Sequence, residues 1–156
     1  MILKTIEVRK ELTDEWNRAG VEKQSDYAIL TNELTKAWAG KTVKEYKEFK
    51  NLKKESLRDN MSNLELVLNM LAEATTTEIS KNENPKTFIH SKKIAKYGGT
   101  IAGKTRKNIE KKIGKSVIRK ENYLNLAEKK QNKKEIEKSL KEYHTKYSKR
   151  DLELIE

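Results

Sequence analysis

The sequence predicts an all-α protein: a compact helical bundle around a central helix at about residues 62–80, followed by a basic helical C-terminal region. Three observations support this fold class. Apolar residues recur at intervals of three and four along most of the chain, which is the period of an α-helix. No stretch of useful length alternates between apolar and polar residues as a strand would. Glycine is rare and Pro85 is the sole proline, which favours a few long helices.

The first two helices are each predicted by an apolar stripe followed by a glycine. Gly20 follows the first stripe and Gly40 follows the second, and glycine commonly ends a helix. We expect Ser25 or Asp26 to cap the second helix, because their side-chain oxygens accept hydrogen bonds from free backbone N–H groups. The two stripes consist of Thr5, Val8, Leu12, Trp16 and Ala19, and of Tyr27, Leu30, Leu34, Ala37 and Trp38.

A third helix is predicted to begin at Thr42, because Thr42 and Glu45 have the spacing of a capping box. Lysines recur along it at spacings of three and four, which would place them on one side of the helix. We therefore expect a second basic edge, less strongly charged than the C-terminal region because acidic residues lie alongside it. Its candidate residues are Lys50, Lys53, Lys54 and Arg58.

The central helix is predicted to begin at Ser62, where Ser62 and Glu65 form another capping box. An apolar stripe follows at the helical period, and Leu66 and Met70 extend the apolar surface to a second side. A helix that is apolar on two sides needs neighbours on both, so we expect other helices to pack around it. The stripe consists of Leu64, Val67, Leu68, Leu71 and Ala74.

The chain divides by composition into three parts. Residues 1–84 form a helical core module that ends at the break around Pro85. Residues 85–127 form a basic helical segment, packing on or extending from the core, whose small residues predict a close helix crossing or a hinge. Residues 128–156 form a C-terminal amphipathic helix that either packs back on the domain or binds a partner helix, including one in a homodimer. The stripe of that helix consists of Ile136, Leu140, Tyr143 and Tyr147.

Positive charge is concentrated in the second part. The net charge of the chain is +11, and residues 86–120 alone contain 12 Lys or Arg residues and one acid, Glu110. Such a concentration points to a polyanionic partner, first DNA or RNA bound through phosphates and second an acidic protein or membrane surface, although a basic stretch can also be a solvated surface. The candidate nucleic-acid-binding residues are Lys92, Lys93, Lys96, Lys104, Arg106, Lys107, Lys111 and Lys112.

No enzymatic chemistry is predicted. Residues Gly98–Thr105 match the phosphate-binding loop pattern, but that loop follows a buried strand, and the residues before Gly98 are basic and helical in pattern. The two histidines lack a second ligand at metal-binding spacing, so no metal and no cofactor are expected. With no cysteine and no long apolar run, the sequence predicts a cytoplasmic protein without a membrane-spanning helix.

Four segments resemble the C-terminal half of bacterial and phage proteins of the Bro-N family, often called DNA-damage-inducible protein D or phage antirepressor. They are RKELTDEW (9–16), SDYAILTNELTKA (25–37), EYKEFKNLKKESLRDNMSNLELVLNMLAEATTTEIS (45–80) and YGGTIAGKTRKNIEKKIGKSVI (97–118). The resemblance implies a helical module that normally follows an N-terminal Bro domain, the part credited with DNA binding. That domain is missing from this sequence. The glycines before Lys104 match the family pattern, but that pattern has no fixed Lys-Thr pair at the positions of Lys104 and Thr105.

Two functions follow as hypotheses. The first is a non-enzymatic, nucleic-acid-associated regulator related to the damage-inducible and antirepressor proteins, in which the basic segment meets phosphate. The second is a protein inhibitor encoded by a phage or mobile element, which binds a host regulator or a nucleic-acid-guided defence complex. Replacing lysines of the basic segment with acidic residues distinguishes the two hypotheses. Under the first, the replacement should abolish DNA or RNA binding; under the second, inhibition should survive unless the protein partner is itself acidic.

Overall fold

The computed structural model describes residues 2–122 and 126–144. Those residues contain helices and no strand, which confirms the predicted all-α class. A 3-10 turn at Arg58–Asn60 precedes the fourth helix. No helix in the described part of the chain is long and apolar enough to cross a membrane. The helices in chain order are α1 Ile2–Arg18, α2 Gln24–Ala39, α3 Val43–Phe49, α4 Asn63–Glu83, α5 Phe88–Ile113 and α6 Leu126–His144.

Most helix ends lie where the local sequence predicts them. Gly20, Gly40 and Gly114 adopt φ angles of 98°, 75° and 75°, the left-handed region in which glycine turns the chain out of a helix. The capping boxes at Thr42 and Ser62 are both formed, each with its backbone and side-chain hydrogen bonds in place. Local signals therefore fix the C-terminal ends of α1, α2 and α5 and the N-terminal ends of α3 and α4.

Two boundaries differ from the prediction. Helix α2 begins at Gln24 after Lys23, which makes no side-chain cap, so the expected cap at Ser25 or Asp26 is wrong. Helix α3 ends at Phe49, and Asn51 then adopts a φ of 58°, so the lysine row does not continue along one helix. The chain turns away from the axis of α3 at Asn51, so Lys53, Lys54 and Arg58 do not lie on the same helix as the lysines before them.

The core lies where α1, α2, α4 and α5 meet. Its largest members are aromatic and aliphatic side chains with essentially no exposure to solvent, and each contributes about 1.5–3 kcal/mol through burial. Helix α4 packs against α1, α2 and α5, which agrees with the predicted central position. The core members include Leu12, Trp16, Leu30, Leu34, Trp38, Tyr46 and Leu68.

The face of α4 that turns inward is not the predicted one. Leu64 and Val67 belong to the predicted buried stripe, yet they are 37% and 42% exposed. Ala74 is also exposed, and Leu71 is only partly buried. Leu66 and Leu68 do reach the core, but most of the inner face is polar. The buried polar residues of α4 are Glu65, Asn69, Glu73, Thr76, Thr77 and Ser80.

Distant side chains satisfy this polar face. Glu73 accepts hydrogen bonds from Arg9 Nη1 at 3.4 Å and from Arg58 Nη2 at 2.8 Å. Asn69 donates to Glu73 and accepts from the indole N–H of Trp38 at 3.2 Å. Burial lowers the pKa of Arg9 to about 10 despite the carboxylate of Glu73, so the guanidinium remains charged at neutral pH. The network compensates charges that would otherwise be costly to bury.

Glycines bring α5 close to its neighbours. A Cβ added to Gly99 would lie 2.7 Å from Cβ of Ala37, and one added to Gly103 would lie 2.6 Å from the carbonyl oxygen of Ala37, both on α2. On the α4 side, a Cβ at Gly98 would lie 3.0 Å from the backbone nitrogen of Thr76. Of the two predicted roles for the small residues, a close helix crossing is the one observed.

Helix α5 packs against α2 and α4, while α6 packs against α1. The α6 residues Ile136 and Leu140 are half-buried and Ser139 is buried, so this helix packs back on the domain, one of the two predicted arrangements. The side chain of Tyr143 and the whole of Tyr147 lie outside the described residues. The division at residues 84 and 127 stays a prediction.

Candidate nucleic-acid interface

The outer face of α5 carries a row of exposed lysines. Lys93, Lys104 and Lys111 follow one another at intervals of 11 and 7 residues, close to whole numbers of helical turns, so they share one line along the helix. Lys96 and Lys107 lie beside that line, and all five side chains are exposed. Lys93 and Lys111 are separated by about 27 Å along the axis at 1.5 Å per residue. We call these five residues the α5 lysine face.

The glycine contacts explain why this face points outward. Gly98 meets α4, Gly99 and Gly103 meet α2, and the lysines lie on the opposite side of α5. Thr87 caps the start of the helix by accepting a hydrogen bond from the N–H of His90 at 3.2 Å. The cap and the close contacts hold α5 firmly, so its outer side chains project from a fixed scaffold.

The lysine face is positively charged and largely uncompensated. None of its five lysines forms an ion pair with a residue in the described ranges. Tyr97 lies between Lys96 and Lys104 and is 62% exposed. The face therefore offers five ammonium groups and one phenol ring to a ligand, which suits phosphate contact with at most one stacked base.

Three of the predicted binding residues are placed differently. Lys92 is half-exposed, and its Nζ lies 3.6 Å from Oε1 of Glu33. Arg106 turns inward: its Nε donates to the carbonyl oxygen of Trp38 at 2.7 Å, and its Nη1 donates to both oxygens of Glu110. Lys112 is exposed, but it follows Gly98, which contacts α4, by 14 residues or about four turns, so it lies toward the α4 side of α5. Arg106 is thus a structural residue, not an exposed binding residue.

Glu110, the acidic residue of the basic segment 86–120, accepts hydrogen bonds from neighbouring groups of the fold. Besides Arg106, it accepts a hydrogen bond from the backbone N–H of Val117 at 2.8 Å and one from the hydroxyl of Ser116 at 3.2 Å. Partial burial opposes ionisation, but these hydrogen bonds and the Arg106 charge outweigh it and lower the pKa of Glu110. The carboxylate therefore stays ionised while its charge faces Arg106 and not the lysine face.

The second basic edge does not form as predicted. Lys50 is 1% exposed, so its assignment to an exposed edge is wrong. Its Nζ donates to Oε1 of Glu65 at 3.0 Å and to the carbonyl oxygens of Arg119 at 2.7 Å and Glu121 at 3.1 Å. Burial lowers the pKa of Lys50, although Glu65 acts in the opposite direction. Lys50 therefore fastens the segment after α5 to the core.

The rest of that edge is dispersed. Arg58 is paired with Glu73, and its side chain is 18% exposed. Lys53 and Lys54 are exposed in the segment after α3. The hydroxyl of Tyr46 donates to the other oxygen of Glu65, and burial beside that carboxylate raises the pKa of Tyr46. Only two of the four predicted residues are available to a ligand.

The spacing of residues shows which of these roles the sequence could reveal. Arg106 and Glu110 have the i, i+4 spacing of a helical ion pair, which was a usable signal. Lys50 and Glu65 are separated by a turn and a change of direction, so no local pattern marks them. The segment Gly98–Thr105 lies wholly inside α5, so it is not a loop and cannot wrap phosphates with backbone N–H groups.

The described residues contain no group of three side chains suited to hold a metal ion. A groove of about 490 Å³ runs between α2 and α5 and is bordered by Ile29, Glu33, Lys36 and Lys96, a mixture of apolar and oppositely charged groups. Its lining provides no nucleophile paired with a base. The lysine face remains the best-defined candidate site.

A family model described as DinD C-terminal domain matches residues 3–122, which include α1 to α5 and the whole lysine face. Neither the curated proteins nor the solved structures contain a significant match to this chain.

Proposed function

The chain belongs to the DinD C-terminal domain family, and from that membership together with the α5 lysine face we propose that it is a nucleic-acid-associated regulatory module without enzymatic activity. The face would contact phosphate groups of DNA or RNA. The supporting observation is the row of five exposed lysines on one rigid helix, whose nearby acid is already paired with Arg106.

Phosphate contact accounts for this arrangement better than base recognition does. Lysine offers a point charge on a flexible stem, which suits a phosphate but reads no particular base edge. A row of about 27 Å along one helix can follow several successive phosphates. Binding should therefore depend strongly on salt and weakly on sequence. With five phosphates engaged, affinity should fall roughly several hundredfold between 50 and 200 mM salt.

We expect no nucleotide hydrolysis, because the nucleotide-binding pattern Gly98–Thr105 lies in the interior of a helix. Residues of this pattern also make structural contacts within the bundle. Gly99 and Gly103 meet α2, and the hydroxyl of Thr105 donates to the carbonyl oxygen of Ile101 at 3.1 Å. A magnesium ligand at Thr105 would have to give up that bond.

The test is fluorescence anisotropy with random duplex DNA, single-stranded DNA and RNA. A variant with Lys93→Glu, Lys104→Glu and Lys111→Glu should bind whichever polyanion the wild type binds, but much more weakly. A matched control with Lys23→Glu, Lys44→Glu and Lys81→Glu changes the net charge equally at exposed positions elsewhere. The control should retain most of the affinity.

Two results would contradict the proposal. One is the absence of binding to any of the three probes at low salt, which would instead favour the inhibitor hypothesis. The other is an equal loss of affinity in both triple variants, because binding would then depend on net charge and not on the lysine face. Circular dichroism of each variant verifies that the helices are intact.

A further inference from the structure

Helix α4 exposes a continuous apolar surface. Leu64 and Val67 are 37% and 42% exposed, and the surface continues through half-buried Met70 and Leu71 to exposed Ala74. We call these five residues the α4 apolar face. The only charged residues between Asn63 and Thr77 are Glu65 and Glu73, and both are buried. About 20 Å of helix surface, at 1.5 Å per residue, is therefore uncharged in a chain that is 38% charged.

This exposure is fixed by the opposite side of the helix. Glu65 is held by Lys50 and Tyr46, and Glu73 is held by Arg9 and Arg58. Rotating α4 to bury Val67 would remove both carboxylates from their partners, and an uncompensated buried charge costs several kcal/mol. The apolar face cannot turn inward, so it is a stable property of the surface. Exposed apolar patches of this kind commonly mark interaction sites.

A lysine borders one end of the face, and a glutamate lies at the other, followed one turn later by exposed Lys81, whose charge acts on Glu15 of α1. Helices α4 and α5 are antiparallel, because Thr76 meets Gly98 and Glu83 lies 3.4 Å from His90. The C-terminal end of α5 therefore lies beside the start of α4. Lys112 follows Gly98 by 14 residues, about four turns, so it is on the side of α5 that faces α4. Exposed Glu78 lies at the other end of the apolar face.

We propose that a second copy of this chain docks on the α4 apolar face, with the two α4 helices antiparallel about a two-fold axis near Leu71. This arrangement places Glu78 of each copy next to the end that carries Lys112 in the other. The centre is uncharged, so it brings no like charges together, and Ala74 allows close approach. A parallel arrangement would instead place each Glu78 beside its counterpart.

The dimer should be weak and should leave the lysine face free. Four turns of one helix cover less area than the roughly 800 Å² per partner that a stable interface buries. The lysine face lies on the opposite side of α5 from Gly98 and thus outside the contact. This inference does not depend on the proposed nucleic-acid binding, and either can fail without the other.

The test is sedimentation equilibrium of the full chain over a wide concentration range. The average mass should rise from 18.2 kDa toward twice that value as concentration increases. Val67→Glu should weaken the dimer at least about tenfold, because it buries a charge without a partner. The matched control is Ile29→Glu on α2, where the side chain is also 42% exposed, and it should dimerise like the wild type.

Charge exchange tests the antiparallel arrangement. Glu78→Lys and Lys112→Glu should each weaken the dimer, and the double variant should restore it. A mass of 18.2 kDa at every concentration would overturn the proposal. Wild-type dimerisation by folded Val67→Glu would also overturn it, because another surface would then form the dimer. Failure of the double variant to recover would contradict the antiparallel arrangement.

Discussion

Helices α4 and α5 lie side by side in one bundle but differ in what they bury and what they expose. Helix α4 buries a polar row that includes Asn69 and Glu73, and it exposes leucine, valine and alanine. Helix α5 buries glycine and alanine and exposes lysine. The first is positioned by hydrogen bonds to distant partners, and the second by steric fit against α2 and α4. The two outer faces differ accordingly, one neutral and one strongly basic.

This difference has a consequence for stability. A polar network fails when one member is removed, because the others remain buried without partners. A glycine crossing fails when an atom is added, because backbone atoms already occupy the space. Substitutions of opposite kinds should therefore be most damaging in the two helices, while changes on either outer face should hardly affect the fold.

The largest expected effect is in the α4 network. Glu73→Ala leaves Arg9 buried without its carboxylate and frees Arg58 and Asn69, so it should lower the free energy of unfolding by roughly 3–5 kcal/mol. Chemical denaturation measures the change. Glu78→Ala on the same helix is the control and should change stability by less than about 0.5 kcal/mol, because that side chain is exposed. Similar losses in the two variants would refute the importance of the network.

A smaller effect is expected at the α5 crossing. Gly99→Ala adds a Cβ only 2.7 Å from Cβ of Ala37 and closer still to the carbonyl oxygen of Leu34, so α2 and α5 must separate. We expect a loss of roughly 1–3 kcal/mol although alanine is the better helix former. Thr100→Ala, at the next and half-exposed position, should be nearly neutral. A stabilised Gly99→Ala variant would show that the helices are not in close contact.

Glu110 links the inner structure of α5 to pH. Its pKa is lowered in the folded protein, so its stabilising contribution is present above the unfolded pKa and is lost as pH falls through the folded value. Glu110→Gln should therefore cost about 1 kcal/mol at neutral pH and reduce the loss of stability on acidification. Thermal unfolding between neutral and acidic pH tests this. An unchanged acid dependence in the variant would contradict the assignment.

The smallest effect on stability is expected on the outer face of α5. Lys104→Ala removes an exposed side chain that forms no ion pair with a described residue, so stability should change by less than about 0.5 kcal/mol. Affinity for duplex DNA at low salt should nevertheless decrease. If the variant were clearly destabilised, Lys104 would have a structural role that its exposure does not suggest.

Much of the fold could be predicted because its signals are local. Gly20, Gly40 and Gly114 end helices through their own backbone angles, and the boxes at Thr42 and Ser62 span four residues. The inner face of α4 could not be predicted in this way. Leu64 and Val67 fit the helical period as well as Leu68 does. Glu73 faces inward because of tertiary partners such as Arg9, which is 64 residues away in the chain.

The candidate site shows the same limit. The concentration of positive charge in α5 was evident from composition, and exposed Lys93, Lys104 and Lys111 agree with it. The internal uses of Lys50 and Arg106 depend on partners that the tertiary structure supplies, namely the carbonyl oxygens of Arg119 and Trp38. The charge of a lysine in the sequence does not show whether its ammonium group is exposed to solvent or buried in hydrogen bonds to another segment of the chain.

The salt dependence of duplex DNA binding tests whether the α5 lysine face contacts phosphate. A plot of log affinity against log salt should have a slope of about −4 to −5 for five phosphate contacts. The slope should become shallower by nearly 3 in the variant with Lys93→Glu, Lys104→Glu and Lys111→Glu. An unchanged slope in that variant would show that the phosphates meet another surface and would contradict the account.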